Sequence, residues 1–239
     1  MKNKILIFCI VFLGTMYFVL STVSAQAISL SVSPPLLELL IKPGKEVKQT
    51  YTIANDGNDT ILHPQILYFT PADEAGNIDL TEDESPNWVK YNKDPLIIKG
   101  GSKIDFNVLF DPPENINDSE HLLTLIFTTS LPDETINQNS VSYQSQIGTN
   151  ILVTISKDGN LEKTAEIVEF TAPKIIDSLF GEIKYKVILK NSGNFLWKPI
   201  GKITQKDEVL KIAPQNIVSG STRQIGCVEN ENLIDCKLK

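Results

Sequence analysis

The stretch Tyr51-Thr52-Ile53-Ala54-Asn55-Asp56-Gly57-Asn58 joins an apolar, strand-like run to a corner of asparagine and glycine. A second stretch with the same plan follows much later, Val187-Ile188-Leu189-Lys190-Asn191-Ser192-Gly193-Asn194. Asparagine and glycine tolerate the positive backbone angles that a tight corner demands, so each stretch predicts a strand that ends in a turn. The repetition predicts two related domains in one chain.

The chain beyond the N-terminal segment alternates apolar and polar residues with a period of two. This is the pattern of strands that bury one face, and no stretch repeats apolar residues at helical spacing over a comparable length. Turn signals rich in Gly, Pro, Asn and Asp separate the alternating runs. A single short helical turn is expected, at residues 173–180. We therefore predict an all-β protein of two tandem immunoglobulin-like β-sandwiches behind an N-terminal signal or anchor segment.

The repeat also sets the expected domain boundaries. We assign residues 28–156 to sandwich 1, residues 157–160 to a linker and residues 161–239 to sandwich 2. The second copy leaves far fewer residues after its Gly220-Ser221 pair than the first leaves after Gly101-Ser102. Sandwich 2 is therefore expected to be incomplete, either because the natural chain continues or because a partner strand completes it.

Composition narrows the classes of function. The 239 residues include 22 Lys and Arg against 29 Asp and Glu, a formal net charge of −7. Nucleic-acid affinity rests mainly on Lys and Arg, so this balance predicts no nucleic-acid partner. Two His and three Cys leave little material for a metal site, and no nucleophile elbow, zinc-protease pair, phosphate loop or dinucleotide fingerprint occurs. We predict a protein that is not an enzyme and binds no cofactor or metal.

The N-terminus carries a predicted export signal. Lys2 and Lys4 precede an uncharged apolar run at residues 5–20, and small residues follow it as far as Ala25 and Ala27. This order is typical of a secretory signal peptide, here cleaved after Ala25. The alternative is an uncleaved anchor, because a run of about 20 apolar residues spans a bilayer. Either way the protein is predicted to be extracellular or in the cell envelope, with membrane contact only through this segment if it is retained.

Two cysteines remain after removal of the signal, Cys227 and Cys236. Outside the cytosol such a pair favours a disulfide. A small loop closed in this way stabilises the fold by about 2–3 kcal/mol, because it constrains the unfolded chain. Two independent free thiols are the alternative.

Several structural stretches resemble a known family: residues 31–35 and 42–46, the strand into residues 55–57, residues 95–102, 121–127 and 147–155. Together they resemble the extracellular WxL-interacting family of Gram-positive bacteria, which is similar to the PapD-like pilus chaperones in having two tandem immunoglobulin-like domains. The resemblance implies a non-enzymatic surface protein that binds other envelope proteins or peptidoglycan.

A pilus-chaperone-like assembly factor that donates or accepts a β-strand is the second hypothesis. The paired basic residues with which those chaperones hold a client's terminal carboxylate have no matching positions in this sequence. A chaperone of that type would also be expected to have a basic cleft between its domains.

Single residues give little evidence for a catalytic or metal-binding site. His63 and His121 are expected to be ordinary surface residues, since no orienting partner stands at a useful spacing. The acidic run at residues 73–84 has part of the spacing of a calcium loop, but Ala75 and Ile78 break it, which favours a solvated hairpin loop.

Two tryptophans and one polar stretch remain as candidate contact residues. Trp88 and Trp197 are expected to pack in the sandwiches, with exposed partner anchors as the alternative. The polar stretch at residues 132–146 is predicted to connect the last two strands of sandwich 1 and is the best candidate binding loop.

Overall fold

The computed structural model describes residues 29–130, 145–161, 163–172, 183–205, 208–229 and 232–238. Within these ranges the chain forms nineteen strands and no helix, which confirms the all-β prediction. The export segment, the predicted helical turn and all but the end of the polar stretch at residues 132–146 lie outside the described residues. No helix in the described part has the length and apolar character needed to cross a membrane.

Ten of the described strands belong to the first domain. They are β1 (Leu30–Ser33), β2 (Leu36–Ile41), β3 (Val47–Asn55), β4 (Thr60–Pro71), β5 (Ile78–Glu84), β6 (Val89–Tyr91), β7 (Leu96–Ile98), β8 (Ser102–Phe110), β9 (Ser119–Ser130) and β10 (Gln146–Ile155).

The described part of the second domain contains nine strands. They are β11 (Ala165–Thr171), β12 (Ile183–Lys184), β13 (Lys186–Asn191), β14 (Lys202–Gln205), β15 (Glu208–Ile212), β16 (Thr222–Gln224), β17 (Cys227–Glu229), β18 (Asn232–Ile234) and β19 (Lys237–Leu238).

Two sheets form the sandwich of the first domain. One has the order β1-β3-β8-β6, and the other has the order β2-β10-β9-β4-β5, with β7 also paired to β4. All pairs are antiparallel except β2 with β10, which run parallel. Because apolar residues alternate along the strands, the inward faces of both sheets meet in one core, where Phe106 packs edge-on to Phe127 with ring centroids 5.2 Å apart.

The chain changes sheets between β1 and β2. β1 pairs with β3 in one sheet, and β2 pairs with β10 in the other. Pro34 and Pro35 lie between them, and proline has no N–H with which to continue a ladder. The two prolines therefore separate one edge strand from the next.

The described strands of the second domain form three sheets around a smaller core. Their orders are β11-β13-β16, β14-β15-β17-β18 and β12-β19. The Sγ atoms of Cys227 and Cys236 are 2.02 Å apart, in a disulfide, and both residues are buried in this core. The bond closes the β17–β18 hairpin, since one cysteine begins β17 and the other follows β18. The residue boundaries and the incompleteness expected from the sequence stay predictions.

Asn55 and Asn191 hold equivalent corners in the two domains. The Asn55 side chain donates to the carbonyls of Asn58 (2.7 Å) and Ile98 (3.3 Å). Its Oδ1 accepts the Gly57 N–H at 2.9 Å. Asn55 is 1% exposed.

The second corner repeats this geometry. The Asn191 side chain donates to the carbonyls of Phe195 and Ile217, both at 2.9 Å, and accepts the Gly193 N–H at 2.9 Å. Asn191 is fully buried. The repeated corner predicted from the sequence is therefore present in both domains, with the same pattern of one accepted and two donated bonds.

Candidate functional site

An open stretch of β10 is the first candidate site. β9 pairs with β10 along its whole length, whereas β2 pairs with it only from Asn150 to Ile155. Residues 146–149 have no strand on that second side within the part of the chain that the structure describes.

Two hydrogen bonds at the ends of β10 show to which side each residue directs its backbone N–H and C=O groups. The Thr129 N–H of β9 donates to the Ser145 carbonyl, and the Ser156 N–H donates to the Ile41 carbonyl at the end of β2. Successive residues of a strand direct their N–H and C=O groups to alternate sides. Gln146 and Gly148 therefore present their backbone donors and acceptors to the open side.

β1 has an open side that lies next to this stretch. β1 pairs with β3 alone among the described strands, and the Ser29 carbonyl accepts the Asp56 N–H. By the same alternation, Leu30 and Val32 direct their backbone groups away from β3. β1 and β10 contact each other. We call residues 30–33 together with residues 146–149 the β1/β10 seam.

The seam has an apolar lining and a closed end. The side chains of Leu30, Val32 and Ile147 are half-buried and pack against the first-domain core. Thr149 is buried, and its hydroxyl donates to the Pro34 carbonyl at 2.8 Å. Sequence patterns alone did not point to this site, although the Pro34-Pro35 pair after a short alternating run was the signal that a strand ends there.

A cleft between the two domains is the second candidate site. It encloses a cavity of about 380 Å³, bordered by Leu36 and Leu152 of the first domain and by Lys198 and Arg223 of the second. Glu38 lies at its edge.

Glu38 connects the domains at this cleft. Its carboxylate accepts hydrogen bonds from Lys198 Nζ at 2.8 Å and from Asn216 Nδ2 at 2.6 Å. Partial burial alone would raise the pKa of Glu38, but these two bonds and the charge of Lys198 outweigh it, and the pKa is lowered.

The β4–β5 hairpin makes a further contact with the second domain. Arg223 lies against Gly76, where an added Cβ would clash with the guanidinium. Arg223 Nη1 donates to the Asn216 carbonyl at 3.1 Å, and the Gln224 N–H donates to the Glu74 carbonyl at 2.8 Å. Glycine at position 76, with φ of 90°, is therefore required both by the turn and by the arginine.

Glu120 of β9 makes another contact between the domains. Its carboxylate accepts the backbone N–H groups of Leu196 and of Ser219, the latter at 3.2 Å. Burial raises the pKa of Glu120, and the two backbone bonds only partly offset this effect.

Charge in the cleft is balanced. Lys198 and Arg223 are accompanied by Glu38 and Asp73 among the residues that border the cavity, and Lys198 is bound to Glu38. The basic cleft expected of a chaperone that holds a terminal carboxylate is not formed by the described residues. Hydrogen bonds across the cleft instead connect the two domains.

The two histidines lie in different environments. His63 is exposed and contacts the Ser130 hydroxyl at 2.9 Å, as expected. His121 is half-buried, with its ring nitrogens 3.0 Å from the Tyr68 hydroxyl and 3.1 Å from the Ser119 hydroxyl. Burial lowers the pKa of His121. The surface prediction for His121 is wrong, because Tyr68 and Trp88 cover it.

No metal site appears among the residues that the structure describes, since no three His, Cys, Asp or Glu side chains converge there. Asp73 caps the β4–β5 turn by accepting from the Asn77 N–H at 3.0 Å and from its side-chain amide at 2.7 Å. The hairpin expected from the sequence is present, but its turn is confined to residues 72–77, residues 78–84 form β5, and the turn contacts the second domain instead of being fully solvated.

The tryptophans differ in packing. Trp88 packs against the first-domain core and meets His121 edge-on, with ring centroids 5.0 Å apart, as predicted. Trp197 is half-buried and its backbone bridges to Ile217.

Comparison with known proteins gives structural similarity without a family. No family model matches the chain, and no curated protein matches it in sequence. It is similar to the E. coli chaperone DraB, with 13% identity, coverage of 87% of this chain and 90% of that chain, and a TM-score of 0.48.

Two other solved structures are similar to a comparable degree. The class 5 fimbriae chaperone CfaA has 14% identity, coverage of 87% of this chain and 98% of that chain, and a TM-score of 0.46. The complex of Salmonella enterica SafA pilin with the SafB chaperone has 9% identity, coverage of 84% and 85%, and a TM-score of 0.44. All three similarities have TM-scores below 0.5, and the resemblance to the WxL-interacting family stays a prediction.

Proposed function

We propose that this chain is an exported, non-enzymatic assembly factor that accepts an extended segment of a partner protein as an added strand at the β1/β10 seam. The observation that carries the proposal is the open stretch of β10. There Gln146 and Gly148 present backbone donors and acceptors with no described partner strand. Such an edge is a template for pairing with another chain.

Both components of strand recognition are available at the seam. The outward backbone groups of Gln146 and Gly148 supply hydrogen bonds that do not depend on the partner's sequence. The half-buried side chains of Leu30, Val32 and Ile147 offer apolar contacts to every second side chain of an inserted strand. A polypeptide partner is therefore favoured over peptidoglycan, which has no extended peptide backbone of this kind to pair along the edge.

This role corresponds to the strand-accepting hypothesis drawn from the sequence, with one difference. The partner is held along its backbone, so no basic cleft is required for a terminal carboxylate. The cell envelope is the proposed location, because the N-terminal segment has the order of a secretory signal.

Site-specific crosslinking identifies the partner. A photo-crosslinking benzoylphenylalanine replaces Gln146 in the full chain, expressed in its own cells. A control carries the same group at Lys103, which is exposed on β8. We expect a defined protein to be crosslinked from position 146 and not from position 103, and absence of a product specific to position 146 would contradict the proposal.

Two substitutions at Gln146 then test the binding mode with the purified partner. Gln146→Pro removes the outward N–H and leaves the backbone bonds to β9 in place, whereas Gln146→Thr keeps the N–H and suits a strand. Both variants lose the side-chain bond from Gln146 Nε2 to Thr128 of β9, so their comparison isolates the outward N–H. We expect the proline variant to bind about tenfold more weakly, equivalent to one lost hydrogen bond, and the threonine variant to bind like the parent. Equal affinities of the two variants would overturn strand pairing at this edge.

A further inference from the structure

The cavity between the two domains is a site that strand addition at the β1/β10 seam does not use. Its volume is about 380 Å³, and pockets for small molecules, which have volumes of about 300–1,000 Å³, lie preferentially at domain interfaces. On β10 the cavity is bordered by Asn150 and Leu152, beyond the open stretch at residues 146–149. The cavity and the seam can therefore be tested separately.

Contacts between the domains close the cavity along two borders. Glu38, which binds Lys198, belongs to β2, the strand at one border of the sheet β2-β10-β9-β4-β5. Gly76, against which Arg223 lies, belongs to the β4–β5 turn at the opposite border. Because the domains meet on both sides, the cavity suits a compact ligand better than a long extended chain.

The first domain gives the cavity an apolar floor. Leu152 of β10 and Phe69 of β4 border the cavity and are 4% and 6% exposed. Leu36 of β2 borders it as well. Such side chains stabilise a ligand by removing its apolar parts from water. One side of the ligand is therefore expected to be apolar.

The second domain gives the cavity a polar wall with unused hydrogen-bonding atoms. Asn216 donates from its Nδ2 to Glu38, but its Oδ1 is buried without a hydrogen-bond partner in the described part of the chain. Arg223 donates from its Nη1 to the Asn216 carbonyl, but its Nε is buried without a partner in the same sense. Buried polar atoms of this kind are rare in native proteins and costly. Both residues are half-buried, and a rotation of either side chain toward the cavity brings its unused atom to a ligand.

Two further side-chain amides border the same cavity. Asn150 Oδ1 accepts from the Thr124 hydroxyl at 2.9 Å, and Gln215 Oε1 accepts from the Gly226 N–H at 2.9 Å. The NH₂ groups of Asn150 and Gln215 have no partner among the described residues. A ligand with several separate polar groups therefore matches the wall better than a ligand with one amide.

The charges at the cavity favour a neutral ligand. Lys198 and Arg223 are balanced by Glu38 and Asp73 among the bordering residues. A carboxylate could pair with Arg223, but it would face Glu38 and Asp73 and would leave Asn216 Oδ1 without a donor. An ammonium group would satisfy Asn216 Oδ1 and leave the Arg223 Nε–H unpaired. A hydroxyl both donates and accepts, so a neutral molecule with several hydroxyls can serve both atoms.

We propose that the cavity between the domains binds a small neutral polyol, such as a hexose. Its apolar face lies on Leu152 and Phe69, and its hydroxyls bond to Asn216 and Arg223 and to the free amide groups of the wall. This site is additional to the strand-accepting seam and does not depend on it.

Proton–nitrogen NMR of the labelled full chain tests the proposal, because Arg223 is the single arginine of the sequence and its Nε–H gives one assignable signal. The probes are glucose, galactose and mannose, each compared with its uronate, which has a carboxylate in place of the terminal hydroxymethyl group. We expect at least one hexose to shift the Arg223 signal with a dissociation constant on the order of 1–10 mM. We expect the corresponding uronate to bind more weakly.

The proposal is overturned if no hexose binds at about 100 mM or if a hexose binds without moving the Arg223 signal. It is also overturned if the uronate binds as tightly as the hexose or more tightly, because the cavity would then be an anion site.

A matched pair of substitutions locates the bound hexose. Leu36 and Leu40 lie on the same face of β2 and are 41% and 56% exposed, but only Leu36 borders the cavity. Leu36→Trp fills the cavity and is expected to weaken hexose binding at least about tenfold, whereas Leu40→Trp is expected to bind like the parent. Because both positions are exposed, both variants are expected to fold. Equal binding by the two variants would contradict binding in this cavity.

Discussion

The Thr149 hydroxyl donates a hydrogen bond to the Pro34 carbonyl oxygen at 2.8 Å, across 115 positions of the sequence. The bond lies where β10 acquires β2 as its neighbour. Before it, β10 is open on one side, and after it β10 is paired on both sides. This contact therefore marks the closed end of the β1/β10 seam.

Thr149→Val tests this contact. The substitution keeps the shape of a buried side chain but removes the donor to the Pro34 carbonyl, so we expect the free energy of unfolding to fall by about 1–2 kcal/mol. Urea denaturation measures the change. Thr50→Val is the control, since the exposed Thr50 hydroxyl donates to Asn107 and its loss should cost under about 0.5 kcal/mol. Equal costs of the two variants would contradict a structural role for Thr149.

The asparagine corners predict two matched losses of stability. Asn55→Ala and Asn191→Ala each remove two donated bonds and one accepted bond from a buried site. We expect each substitution to lower the free energy of unfolding by about 2–4 kcal/mol. Asn107→Ala, at an exposed position, is the control.

Fluorescence can assign these losses to their domains. The chain has two tryptophans, Trp88 in the first domain and Trp197 in the second. With Trp197→Phe as background the signal reports the first domain, and with Trp88→Phe it reports the second. Asn55→Ala is expected to shift the first-domain transition and Asn191→Ala the second-domain transition. If Asn55→Ala shifted the second-domain transition, or Asn191→Ala the first-domain transition, the idea that each corner stabilises its own domain would be contradicted.

Local patterns in the sequence were enough for much of the fold. The period-two alternation around Phe106 and the repeated corners at Asn55 and Asn191 are set by residues close together in the chain, and the structure contains all of them. The pairing of Cys227 with Cys236 rests on the same kind of local pattern and stays a prediction.

The candidate site could not be predicted in the same way. The seam depends on β1 and β10 meeting from opposite ends of the first domain, and alternation within each strand carries no information about its neighbours. His121 follows an acidic, polar stretch in the sequence, yet Trp88 and Tyr68 cover it in the fold.

Glu120 and Glu38, which both lie between the domains, are expected to contribute to the stability of the fold with opposite dependences on pH. The pKa of Glu120 is raised above its ordinary 4.5 in the folded chain, so the folded state binds more protons and the contribution of Glu120 to stability falls as pH rises through that window. The pKa of Glu38 is lowered below 4.5, so its contribution is present above pH 4.5 and is lost as pH falls below it.

Urea unfolding of Glu120→Gln and Glu38→Gln between about pH 3 and pH 7 measures the two effects. The stability of the parent chain relative to Glu120→Gln is expected to decline with rising pH. Relative to Glu38→Gln it is expected to rise. If the stability of the parent relative to each variant changed with pH in the same direction, the opposite pKa shifts of Glu120 and Glu38 would be contradicted.

The disulfide predicts a specific chemical map. A protease that cuts after glutamate separates Cys227 from Cys236 at Glu229, and the two fragments should stay joined until a reductant is added. In the double variant Cys227→Ser/Cys236→Ser the free energy of unfolding is expected to fall by about 2–3 kcal/mol. The fluorescence of Trp197 during unfolding measures this change. Alkylation of both cysteines in unreduced, denatured protein would contradict the bond.

Amide hydrogen exchange at Gln146 and Gly148 tests strand addition at the seam most directly. In the free chain these outward N–H groups should exchange rapidly, while those of Ile147 and Thr149, which face β9, exchange slowly. Saturation with the partner protein identified by crosslinking is expected to slow exchange at Gln146 and Gly148 by about tenfold or more, as new backbone bonds form. Unchanged exchange at both amides in the saturated complex would contradict the seam as the site where the partner strand pairs.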